Sequence, residues 1–155
     1  PPSLRRRGRM RIDPPFKMPA NRKISKGGSR LTLIRASGVE RFEDAQSLYN
    51  SRRWDGAIYL AGYAIECLLK CAAGQRTGTV YLDSMLETHK LDILMPASGL
   101  LPELKTVGLF TIWSTFSQRW DTSLRYTCNL FRDKDGRLFF QQITQLYEWL
   151  WLRTR

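Results

Sequence analysis

The sequence predicts an all-α fold, an up-and-down bundle of four to five helices. Three observations carry that expectation. Apolar residues recur at three- and four-residue intervals over most of the chain beyond residue 36. No stretch alternates apolar and polar side chains for the length of a strand. The links between the periodic segments are short, which favours antiparallel neighbours. At 155 residues, 43% hydrophobic and 12% aromatic, the chain is long enough for one domain with a real core.

The first predicted helix runs from a cap at Ser37 to about Asn50. Glu40 stands three residues after Ser37, the spacing of a capping box. Val39, Phe42, Ala45, Leu48 and Tyr49 give it one apolar face. Ser51, Arg52 and Arg53 form a link. The second predicted helix starts near Asp55 as cap and stops at Gly74. Its stripe is Ile58, Ala61, Ile65, Leu68, Leu69 and Ala72, and small residues thin the surface around it. Gly62 in its middle costs about 1 kcal/mol relative to Ala, so close packing is its expected reason.

Residues 75–88 read as a loop with one turn around Ser84–Glu87. Thr88 is placed to cap a third helix starting at His89 or Lys90, with Leu91, Leu94 and Met95 inward. Pro96, Gly99 and Pro102 end and punctuate it. A fourth helix is expected from Phe110 to Leu124, burying Ile112, Trp113, Phe116, Trp120 and Leu124. Asp133-Lys134-Asp135-Gly136 reads as a turn. It is no calcium loop, because Phe131 stands where the first acid belongs and Gln142 where the closing Glu belongs. A fifth helix follows from Arg137 to the end. Leu138, Phe139, Phe140, Ile143, Leu146, Tyr147, Trp149, Leu150, Trp151 and Leu152 make it apolar nearly all round. Such a helix needs burial on several sides, and a homodimer is the expected source of it.

The formal charge is +11, but it is uneven. Residues 1–35 hold 11 basic side chains and one acid, Asp13; the remainder carries 14 basic against 13 acidic, close to neutral. Residues 1–36 are therefore expected to be a basic disordered tail, with Met18 a native start, and 37–155 the helical domain. No run approaches the ~18 uncharged apolar residues of a membrane span, and no secretory leader is recognisable. Cys67, Cys71 and Cys128 form no paired framework, which fits a reducing cytoplasm. Their spacing, with a single His89, gives no metal site, and no cofactor motif is present.

The order of residues 39–50, Arg52-Arg53-Trp54-Asp55, Glu66, Leu69-Lys70, Thr88-His89-Lys90-Leu91 and Arg125-Tyr126 resembles the HEPN (higher eukaryote and prokaryote nucleotide-binding) family. The resemblance covers roughly residues 38–153. It implies a four- to five-helix bundle that commonly dimerises. Many members are RNases that use an Arg, four to six residues, then a His late in the bundle. That motif is absent here. His89 has no Arg in the required window, and Arg119 is followed, with five residues between, by Arg125 rather than a histidine. The resemblance then implies a nucleotide- or RNA-binding module of a toxin–antitoxin or defence system. Its implied partner is a small nucleotidyltransferase. An atypical metal-independent RNase and a structural subunit of a larger assembly are the alternatives.

The candidate site residues follow from their chemistry. Glu66 and Lys70 are four apart with Glu first, the favoured orientation of a helical ion pair. Exposed, that pair is surface decoration; turned inward, it lines a polar notch with His89 and Arg125. His89 is the one side chain suited to general acid–base work. Lys70, Lys90 or Arg125 would supply a cation for phosphate. Arg119, Trp120, Arg125 and Tyr126 offer guanidinium and aromatic surfaces for a nucleotide, with Trp120 equally at home in a core.

Overall fold

The computed structural model describes residues 30–155; the expectation of a disordered tail falls almost wholly outside them. The described residues form six α-helices and no strand. The helices are α1 (Leu31–Asn50), α2 (Trp54–Thr77), α3 (Leu91–Ser98), α4 (Leu101–Thr106), α5 (Phe110–Arg119) and α6 (Asp133–Arg153). Short 3-10 turns occupy Ser84–Leu86 and Thr122–Tyr126. The all-α bundle expected from periodicity is the fold observed.

α2 is the centre of the bundle. Sixteen of its 24 residues are buried, and α1, α3 and α6 all pack on it. By length and composition it is the one described helix apolar enough to cross a membrane, contrary to the reading from charge spacing. Its most apolar window is 72% buried inside the bundle.

α1 starts at Leu31, not at Ser37. Ser37 lies exposed inside the helix, and the residue before the first turn, Arg30, provides no side-chain cap. Tertiary contacts replace the cap. Leu31 is buried beside Gly74, where an added Cβ would lie 2.2 Å from the leucine Cδ1. The Leu31 amide donates to the Val80 carbonyl at 3.0 Å. Gly38 lets α1 approach α2, because a Cβ there would sit 2.9 Å from the Cys67 Cβ. The same Leu31 contact explains why Gly74 does not stop α2. The helix continues three residues and ends at Gly78, whose left-handed φ of 69° suits glycine.

Asp55 does not cap α2 either. Its two carboxylate oxygens accept the amides of Leu130 and Phe131, each at 2.9 Å, and tie the segment before α6 to the start of α2. The residues Asp133–Gly136 form the first turn of α6 rather than a separate turn. Asp133 Oδ1 accepts the Trp54 indole N–H at 2.9 Å. Gly136 fits against that indole, since a Cβ would meet it at 2.8 Å. Along α6, Phe139, Phe140, Ile143, Leu146, Tyr147, Trp149 and Leu150 are buried. The Tyr147 ring stacks on Phe42 at 3.7 Å and Phe140 on Tyr49 at 4.4 Å. Leu138 and Leu152 are exposed.

The remaining differences are local. Thr88 does accept the Lys90 amide at 3.2 Å, but regular α3 begins at Leu91. Pro96 lies within α3, and Gly99 ends it. Pro102 opens the short α4, in the first turn where a missing amide is tolerated. α5 ends at Arg119 instead of continuing to Leu124. Trp120 is extended (φ −109°, ψ 127°) so that its indole can cover Gly62.

Candidate functional site: a buried carboxylate behind a cleft histidine

Glu66 lies on the middle turn of α2 with no solvent exposure. A carboxylate taken this far from water requires partners, since unpaired burial of a charge is very costly. It has two. Lys70 Nζ donates to Oε1 at 2.6 Å. His89 Nδ1 lies 3.0 Å from Oε1 and 2.9 Å from Oε2. Lys70 comes from the next turn of α2, and only 11% of its side chain is exposed. His89 comes from the segment ahead of α3 and is 60% exposed. The Glu66–Lys70 pair is therefore a buried charge pair and not surface decoration. It anchors the 87–90 segment to the central helix.

The carboxylate sets the chemistry of the imidazole. An ionised carboxylate only accepts, so the neutral ring carries its proton on Nδ1 and keeps a lone pair on Nε2. A single histidine tautomer is held in place by a charge-assisted bond. Burial, then the Glu66 charge, pushes the Cys67 thiol up to about 12. Burial pushes Cys71 up to about 11. Tyr63 is raised by burial first, then by Cys67 and Glu66.

His89 opens onto a cleft of about 520 Å³ between the α3 start and α5. Leu91, Met95, Phe110 and Trp113 give it apolar walls. Ser114 and Ser117 from α5, with Asp121 beyond it, add polar groups. Lys90 and Asp92 flank His89 at the rim. An apolar cleft with a few convergent polar groups has the composition of a small-molecule site.

Of the residues singled out from sequence, Glu66, Lys70, His89, Lys90 and Trp120 converge at or behind this cleft. Trp120 lines it but is only 2% exposed. Its Nε1 donates to the Tyr59 carbonyl at 3.1 Å, which makes it a wall of the bundle. Three others are elsewhere employed. Arg119 pairs with Asp135 at 2.9 Å and lies 4.3 Å from the Phe139 ring centre. Arg125 stacks on the exposed ring of Tyr126 at 5.0 Å, and neither residue lines the cleft. The expected notch of Glu66, His89 and Arg125 is thus built without the arginine. Sequence reasoning missed Trp113, Ser114, Ser117 and Asp121 as cleft residues. Their only signal is that Ser114 and Ser117 share a face one turn apart on α5, visible once α5 is placed against α3.

No known protein family, curated protein or solved structure matches this chain.

Proposed function

We propose that the chain is a nucleotide- or RNA-binding helical module whose ligand enters the cleft beside His89. The observation that carries this reading is the imidazole fixed from behind by the buried Glu66, with Nε2 left to meet a ligand at an aromatic-walled cleft. The excess positive charge of residues 1–35 favours anionic polymers as partners. On the same reading the module acts in a toxin–antitoxin or defence pair with a nucleotidyltransferase-type partner. It forms a homodimer through the exposed apolar residues of α6, Leu138 and Leu152.

The test is fluorescence anisotropy with labelled nucleotides and short single-stranded RNA. His89→Ala should weaken binding about tenfold, the equivalent of one good hydrogen bond. An unchanged affinity, or no binding by the wild type, refutes the proposal. Sizing the purified chain tests the homodimer, which a single-copy mass at high concentration would contradict.

One feature favours a second reading, metal-independent RNA cleavage. A histidine backed by a buried carboxylate is the arrangement of a general base. RNA brings its own 2′-hydroxyl nucleophile, so no protein nucleophile is required. Cleavage of total RNA by the wild type and not by His89→Ala would support it; intact RNA in both would refute it.

A further inference from the structure

The ionisable groups that line the cleft do not suit a phosphate. Among the described residues they are His89, Lys90, Asp92 and Asp121: two carboxylates against one ammonium and an imidazole. In its neutral form the imidazole, bonded to Glu66 through Nδ1, offers the cleft an acceptor at Nε2. Behind it, the Lys70 ammonium is already engaged by Glu66 at 2.6 Å. Lys105 is close by, 5.1 Å from the Phe110 ring, but lies outside the lining. The start of α3 would ordinarily draw an anion. Here Asp92 occupies that first turn with its own negative charge. The Asp121 carboxylate is held in place by the Ser123 amide at 2.6 Å and adds a second repelling charge.

The acceptors, by contrast, converge. His89 Nε2 and the carboxylates of Asp92 and Asp121 ask the ligand for N–H or O–H donors. Leu91, Met95 and Trp113 offer apolar surface to a flat ring. We infer that the cleft recognises the base or sugar of a nucleotide through donors on the ligand, and leaves its phosphates outside. This rests on the nucleotide-binding reading above and names the part of the ligand that the site takes.

Calorimetric titration of the full chain with each nucleoside, its 5′-monophosphate and its 5′-triphosphate tests the inference. At least one nucleoside should bind within about twofold of its own nucleotides, a difference below 0.5 kcal/mol. Its affinity should change little with salt, because no phosphate charge is being neutralised. Asp121→Asn should then admit the monophosphate no worse than the wild type does. A monophosphate or triphosphate that binds about tenfold tighter than its nucleoside, with affinity falling steeply in salt, overturns the inference. It would leave the nucleotide-binding reading intact. Binding of RNA without binding of any nucleoside also overturns it. Failure of every nucleoside, nucleotide and RNA to bind overturns both.

Discussion

Replacing Glu66 by Gln removes one negative charge from a position with no solvent exposure, while keeping the side chain's shape. The Lys70 ammonium, 11% exposed and 2.6 Å from Glu66 Oε1, is then left buried without a counter-charge. The glutamine oxygen accepts from Lys70 or from His89 Nδ1, and its NH2 group opposes the other. Breaking a buried pair from one side costs about 3–5 kcal/mol. For a chain of this length that is a fall in Tm of about 6–20 °C. Lys70→Met should cost a similar amount, because it strands the carboxylate with a mostly exposed histidine. The double variant should cost less than the sum by at least about 1 kcal/mol, because each change removes what the other leaves unpaired. Urea unfolding followed by circular dichroism gives all four stabilities. Single costs below about 1 kcal/mol, or effects that add within about 0.5 kcal/mol, would refute a buried pair. His89→Ala, by contrast, should cost under about 1 kcal/mol, since that ring is largely in solvent. Its effect on binding then reports the site and not the fold.

Other consequences are equally open to measurement. Gly62→Ala places a Cβ about 2.0 Å from the Trp120 Nε1 and should destabilise by about 1–3 kcal/mol in urea unfolding, despite alanine's better helix propensity; a gain in stability would contradict the packing. Asp55→Ala strips two backbone amides of their acceptor, so about 1–3 kcal/mol should be lost and the 127–132 segment should exchange its amide hydrogens faster; unchanged exchange would contradict the tie. A thiol reagent at neutral pH should label exposed Cys128 and spare buried Cys67 and Cys71, with mass spectrometry counting the adducts; labelling of all three in the folded chain would contradict it. The raised thiols also fix a pH dependence. Their neutral form is favoured by the fold, so their contribution is complete at neutral pH. It is lost as pH rises from the ordinary thiol range of ~8.5 towards the folded values of about 11 and about 12. Stability measured across that range should fall; a rise would be the wrong sign.

Helix periodicity made most of the fold legible. The stripe from Ile58 to Ala72 is buried as its spacing indicates, and the 3-10 turn at Ser84–Leu86 falls where the loop reading put it. The misread boundaries share one cause. Asp55, Gly74 and the Asp133–Gly136 run carry local cap or turn chemistry that a distant partner overrides, and Ser37 is passed over because Leu31, six residues earlier, is already held by Gly74 and Val80. Gly74 meets Leu31, Gly136 meets Trp54, and Asp55 meets the amides before α6. α4 was hidden because Gly99 and Pro102 read as punctuation, when the proline opens the helix. The site was half legible. Glu66 and Lys70 announce a pair by their spacing, but burial depends on which neighbours cover α2. His89 is 23 residues from Glu66, and nothing in local pattern brings the two within 3 Å. Arg119 and Arg125 looked equally eligible, and the fold uses them on Phe139 and Tyr126 instead.

The protein has one histidine, so its imidazole can be observed without assignment ambiguity. Nitrogen-15 NMR of that ring, on the alkaline side of its titration, distinguishes a protonated from a lone-pair nitrogen at each position. A Glu66-held ring should show the proton on Nδ1 alone, and Glu66→Gln should convert it to the tautomer mixture of a free imidazole. A mixture in the wild type, or a proton on Nε2, would mean that the buried acid does not aim the histidine at the cleft.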